Sequence, residues 1–422
     1  MTKKLLFLLV FFTYSIQGRE FNFEELYQHS LKNHPQGKIL KSKVKEIEFA
    51  IKKLKSSYYP ELSAVVGGER RQAAQDSSID TNRFVAEVRV KYNLFRFNKS
   101  ADEIKALKKI LDKESLDFNW WQENLYREMK IHYTVAQSLN EKLQILNKEL
   151  GTNSFLKKSV QKRRKSGLIG KSDILDIELR RNQLLTSIND LNEELDHSMD
   201  KLRKLTFIEH SDTIKIEGVL PHHHYNLQFD QLLEKAKKNN IHIKRSKYLK
   251  ESQLSELNKM NKNYLPEVNL SGRYGRMRID EQYVNSTNQN EGLIGVYVNI
   301  PLFSGGSKRS TRQIYEEKYQ QRLQEAKLHE NNESIELTHK FELLEKVHRK
   351  VDLLEDSLKR GQSYFKNVMS EYKRGVKNSL DLVSSRDRLV NLNMNLIEAK
   401  TKYIITLLNI EELTGEKLKE KL

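Results

Sequence analysis

The chain has no cysteine, only five prolines in 422 residues, and no apolar run long enough to cross a bilayer as a helix. Without cysteine there is no disulfide framework and no lipid-modified cysteine at a mature N-terminus. Each proline removes a backbone donor and ends or kinks a helix, so its scarcity leaves room for long unbroken helices. The longest apolar run, Leu5 to Phe12, follows Lys3 and Lys4 and is too short to span. It reads as the core of a secretory signal peptide, residues 1–18, cleaved after Gly18 with Ser15 as the other candidate. A mean hydropathy of −0.71 with 37% hydrophobic residues excludes a helical membrane protein. Also missing are a Gly-x-Ser-x-Gly elbow, a phosphate loop and a His-Glu-x-x-His pair, so no enzyme and no cofactor is expected.

Charge is plentiful: 31% of residues carry it, for a formal net charge of +17. Lys and Glu interleave along the helical segments, the pattern of solvated helix surfaces. With an export signal and no recognition motif, a nucleic-acid partner is not expected.

The stretch Tyr264–Gly306 is the one the chain repeats. Tyr58, Pro60, Glu61, Arg70, Asn93 and Phe97 return as Tyr264, Pro266, Glu267, Arg276, Asn299 and Phe303, each 206 residues on. The duplication divides the chain into a first repeat 19–206, a linker 207–226, a second repeat 227–415 and a tail 416–422. Each repeat reads as helix, β-hairpin, long helical hairpin. The predicted second hairpin has strands 268–279 and 291–300 around a polar loop, Asp280–Asn290.

Phe84, Ala86, Val88, Val90, Tyr92 and Leu94 share one strand face; Glu87, Arg89, Lys91 and Asn93 share the other. Gly292, Ile294, Val296, Val298 and Ile300 repeat the apolar face. Alternation over about ten residues matches a barrel strand crossing a membrane better than a soluble strand of about five or six.

Spacings of three and four, as in Val44, Ile47, Ile51, Leu54 and Tyr58, predict one helix over 21–57. A second helix is predicted to run from Ala101 to about Lys165 and return after the turn Ser166–Gly170. The second repeat is read likewise, with helices 229–263 and 307–373 and a turn at Gly375. His222–His224 lie in an extended segment, alternate in direction, and have no Cys or carboxylate at ligand spacing. They read as linker, and no metal is expected.

The Tyr-Leu-Pro-Glu opening and Ile-Pro-Leu-Phe-Ser-Gly-Gly close, in duplicated form, resemble the TolC family of trimeric outer-membrane channels. The resemblance covers nearly the whole mature chain, with Phe95 standing where the second copy has Pro301. It implies an α+β fold. Long antiparallel coiled α-hairpins form a periplasmic α-barrel, and two β-hairpins give four strands to a trimeric outer-membrane β-barrel. It implies an exit duct of a tripartite efflux pump or type I secretion system, embedded in outer-membrane lipid. Its partners are two further copies, a periplasmic adaptor and an inner-membrane pump.

Carried over position by position, Asp381 falls in an acidic pore-constricting ring, and Ser384 stands where some relatives have a second aspartate. Asp173, Tyr372 and Lys377 fall in the latch that holds neighbouring helices shut. The turns Ser166-Gly167-Leu168 and Arg374-Gly375-Val376 fall where adaptor tips dock. Lys377 stands four residues before Asp381, so a local ion pair explains the same residues. The rival reading of the whole is a secreted structural or adhesive coiled-coil protein. It leaves the bilayer-length alternation of both hairpins unexplained.

Overall fold

A computed structural model describes residues 19–417 apart from 72–80, 166–170, 210–211, 219, 221–224, 226 and 282–283. The signal peptide, the first helical turn and the histidine run therefore lie outside the described residues. No described helix is long and apolar enough to cross a membrane.

Two compact units interleave along the chain. One takes Met1–Gly37, Trp120–Ala236 and Ser334–Leu422; the other takes Lys38–Asn119 and Lys237–Glu333. In chain order the first repeat contains β1 (Glu20–Phe21), α1 (Phe23–Asn33), α2 (Pro35–Ser56), β2 (Glu61–Arg71), β3 (Thr81–Phe95), α3 (Lys99–Lys165) and α4 (Lys171–Thr206). A short β4 (Thr213–Ile214) follows. The second repeat contains α5 (Phe229–Asn239), α6 (Ile241–Asn261), β5 (Glu267–Glu281), β6 (Val284–Asn299), α7 (Ser307–Lys373) and α8 (Ser379–Thr414).

The helices predicted over 21–57 and 229–263 are each broken once, at His34 and at Asn240, again 206 apart. Pro35 ends the first: a residue before proline is pushed out of the helical region, and His34 has ψ 124°. Asn240 breaks the second by capping α6, its Oδ1 accepting from the amides of His242 (2.8 Å) and Ile243 (3.2 Å). The break in α5–α6 contains no proline and that in α1–α2 does, and the apolar spacing carried the predicted helix through both.

The second unit holds a four-stranded antiparallel sheet in the order β2-β3-β5-β6. Its register corrects the matching of the repeats. Glu61 stands opposite Lys91 and Glu267 opposite Asn299, so β2 maps to β5 with an offset of 206 but β3 maps to β6 with 208. Asn93 and Phe97 therefore correspond to Pro301 and Gly305, not to Asn299 and Phe303, and Phe95 corresponds to Phe303. The positive φ angles agree: Phe97 (49°) and Asn98 (60°) turn the chain from strand to helix as Gly305 (60°) and Gly306 (83°) do. The proposed polar loop 280–290 is also shorter than predicted. Its Asn, Ser and Thr residues continue the ladder, with Ile279 opposite Thr287 and Glu281 opposite Val284. A strand needs backbone partners more than apolar side chains once it leaves the buried zone.

Beneath the sheet, α3 and α6 are joined by cross-helix pairs, Lys109–Glu251 (3.1 Å) and Lys259–Glu103 (3.0 Å). Lys99 at the start of α3 reaches Glu267 at the start of β5 (3.1 Å), which fixes the corner.

The first unit is helical. Leu337, Leu344, Val347 and Val351 of α7 pack on Leu396, Ala399, Tyr403 and Ile410 of α8 and on Leu232 and Ala236 of α5. These spacings of three, four and seven form a coiled-coil seam. Around the linker, β1 pairs in parallel with β4. The Leu220 amide donates to Glu141 Oε1 of α3 (2.7 Å), tying the linker down.

Candidate gate at the helical turn

The α7–α8 turn is built from its backbone outward. The amide of Val376 donates to the carbonyl of Glu371 (2.9 Å) and that of Gly375 to Tyr372 (3.1 Å). This paired closure requires a left-handed residue just past the helix end, and Gly375 supplies it with φ +81°. Arg374, Gly375 and Val376 are exposed as a knuckle.

Asn378 then starts α8 with a reciprocal cap. The Asp381 amide donates to Asn378 Oδ1 (2.8 Å) and the Asn378 amide to Asp381 Oδ2 (3.3 Å). Lys377 Nζ lies 4.0 Å from the same Oδ2, and both side chains are about two-fifths exposed. The local pair inferred from the four-residue spacing is thus present, at the outer limit of contact. Ser384 is exposed one turn further on. Tyr372 is buried with its ring among Val368 and Leu382. Asp173 lies in the first turn of α4, its side chain outside the described ones, and Ser166, Gly167 and Leu168 lie outside the described residues. Of the five gate candidates the structure groups Tyr372, Lys377 and Asp381 within one turn.

Just beyond this turn is a charged layer that sequence spacing did not reveal. Glu149 of α3 is buried and accepts from Arg386 Nε of α8 (2.5 Å); the Arg386 guanidinium also lies 5.0 Å from the Phe365 ring centre of α7. Arg180 of α4 pairs with Asp387 of α8. Burial pushes the Asp387 carboxyl up from its usual range; Arg180 pulls it down, and Glu149 and Asp176 push it up again. Asn153 of α3 donates to the Ile177 carbonyl of α4 (3.3 Å). The four helices are thus fastened at one level, through side chains 237 residues apart in sequence. The only signal for it was charge at seam positions, Arg386-Asp387 lying between Leu382 and Val390.

Residues 232–416 match the family described as Outer membrane efflux protein. Among curated proteins, Outer membrane protein TolC of Vibrio cholerae serotype O1 is 18% identical over 409 residues, covering 93% of this chain and 90% of that one. Among solved structures, the Campylobacter jejuni CmeC outer membrane channel is 13% identical with a TM-score of 0.81, over 95% of this chain and 87% of its own. The outer membrane protein VceC of Vibrio cholerae is 14% identical with a TM-score of 0.77, over 94% and 97%.

Proposed function

We propose that this chain is a TolC-like outer-membrane efflux protein, its second half matching that family's model and nearly its whole length sharing the fold. The family is an exit duct for efflux pumps, and the chain is an outer-membrane protein with a large periplasmic part. Three copies assemble around one axis. The observation that carries this is the sheet: it ends at β2 and β6, each with one unpaired edge among the described strands, and it has an apolar face. Open strand edges do not occur in hydrocarbon, because each unsatisfied backbone group costs several kcal/mol there. Joining β6 of one copy to β2 of the next closes twelve strands into a barrel. A stripe on α7 supports the same assembly. Ile314, Leu328, Ile335, Leu353 and Tyr364 are 48–69% exposed at spacings close to whole helical turns, a face for a neighbouring copy to cover.

The turn between α7 and α8 is the gate in this reading. Three copies of Asp381 around the axis set a cation-attracting ring, and Lys377, Tyr372 and Asp173 restrain it. The exposed knuckle Arg374-Gly375-Val376, with its counterpart 166–168, receives an adaptor protein that links the duct to an inner-membrane pump. The signal peptide is removed, leaving two repeats joined by the 207–226 linker. Purification in detergent followed by mass measurement and planar-bilayer recording tests the reading. A trimer that conducts ions is expected; a stable detergent-solubilised monomer with native β content overturns it.

A further inference from the structure

The strands differ from the rest of the chain in their choice of cation. The four sheet strands contain seven arginines and one lysine, whereas the rest of the chain contains 17 arginines and 49 lysines. Register sorts them between faces. Leu62, Ala64 and Val66 of β2, Val88 and Phe84 of β3, Tyr274 of β5 and Ile294 and Val296 of β6 share one face and are exposed. Arg89 and Arg273, opposite one another, lie on the other face, where Arg89 pairs with Glu87 and Arg273 with Glu291 (2.9 Å).

Three arginines fall on the apolar face, Arg70, Arg276 and Arg278, the last standing opposite Phe84. Arg70 lies eight residues beyond Leu62, and Arg276 holds the same place in β5, eight beyond Val268. Both are exposed, and Arg278 follows two residues later in β5. Eight strand residues extend about 26 Å, or about 20 Å in depth for a tilt near 40°. Each repeat thus sets an arginine on its lipid face at the distal end of the apolar band. Trimerisation joins strand edges and leaves this face uncovered.

We propose that Arg70 and Arg276 bind the phosphate groups of lipid headgroups in the outer leaflet, as a collar of six guanidinium groups around the trimer. The proposal rests on the reading of the sheet as part of a membrane barrel. Guanidinium offers a planar fork of donors that engages phosphate through two bonds, which ammonium does not. That accounts for arginine at these positions in a lysine-rich chain. Near the interface a charge on the lipid face costs about 0–1 kcal/mol, against about 2–4 at mid-bilayer, so a phosphate contact readily offsets it.

The test uses the full-length protein in the assembly it forms in detergent. Retention of phosphatidic acid, which carries a phosphate monoester, is compared with that of phosphatidylcholine of the same chains by native mass spectrometry. The parent is expected to retain phosphatidic acid several-fold more strongly. Arg70→Gln with Arg276→Gln should lose most of that preference, Arg70→Lys with Arg276→Lys part of it, and Arg89→Gln on the polar face none. Equal retention of the two lipids by the parent, or an unchanged preference in the double Gln variant, overturns the proposal. Displacement of the lipid by millimolar inorganic phosphate also overturns it, because the site is then one for a soluble anion. Single-channel conductance of the same preparations tests the duct reading separately: a parent that retains the lipid but does not conduct counts against the duct alone.

Discussion

The two repeats trace one backbone path with different residues at its sharpest points. In the first, a proline breaks the opening helix and Phe97-Asn98 take the left-handed corner from sheet to long helix. In the second, a capping asparagine makes the break and Gly305-Gly306 take the corner. Phe and Asn at such angles are strained relative to glycine. The first corner adds a compensating contact, the Phe95 and Phe97 rings meeting edge to face at 4.5 Å between centres. The geometry is held in common while the means of holding it has diverged. A duplicated architecture constrains backbone angles before it constrains side chains.

That comparison is broken most forcefully where the repeats are fastened together. Arg386→Ala strands the buried Glu149 carboxylate and is expected to cost about 3–5 kcal/mol in chemical denaturation, whereas Arg386→Met with Glu149→Leu should be near neutral. Next come the corners. Gly306→Val forces a β-branched residue to φ 83° and should cost at least about 1–3 kcal/mol, while Asn98→Gly should gain up to about 1 kcal/mol. Equal effects at the two corners would mean that the strain is shared elsewhere. Third, Asn240→Ala removes a cap and leaves Glu333 without the amide it accepts from at 2.9 Å, costing about 1–2 kcal/mol. His34 also caps its helix, its Nδ1 accepting from the Gln36 amide (3.0 Å) while its ring meets Trp121 and Phe207 edge to face, so His34→Ala should cost a comparable amount in the same denaturation experiments.

The acid side of the charged layer gives a sign to check. Burial raises the Asp387 carboxyl, so the folded state holds that proton to higher pH than the unfolded chain does. Its contribution to stability is greatest below the ordinary Asp range and falls as pH rises through the raised value. Asp387→Asn should flatten that decline in melts taken from the ordinary Asp range upward. The smallest effect belongs to the two carboxylates proposed for the gate, Asp173 and Asp381, 208 residues apart. Asp381→Asn should reduce cation preference in planar bilayers without raising conductance. Under the proposed gate, Asp173→Ala with Tyr372→Phe should raise conductance in the same recordings. If both variants conduct and select as the parent does, the gate lies elsewhere.

Much of this was legible because it is periodic. The strand faces followed from alternation at residues 84–94 and 292–300, and the long helices from the spacing of apolar residues and the lack of proline. The break at Asn240 was hidden because a lone capping side chain in a polar run resembles any surface asparagine. The hairpin offset was hidden by coincidence: Asn93 and Asn299, and Phe97 and Phe303, match by letter without matching in register. The layer of Glu149, Arg180, Arg386 and Asp387 has no local signature, since its partners come from three separate helices.

The change of offset from 206 to 208 between the outgoing and returning strands has a bearing on how such a molecule can lengthen. The second hairpin exceeds the first by two residues. Side chains alternate with a period of two, so a one-residue change carried into a paired strand turns every later residue of that strand to the opposite face. Val88 and Val90 would then join the polar face, and Arg89 and Lys91 the apolar one. A barrel hairpin therefore accepts inserted codons in pairs far more readily than singly, and loops grafted at its tip keep the bilayer match when their length preserves that parity.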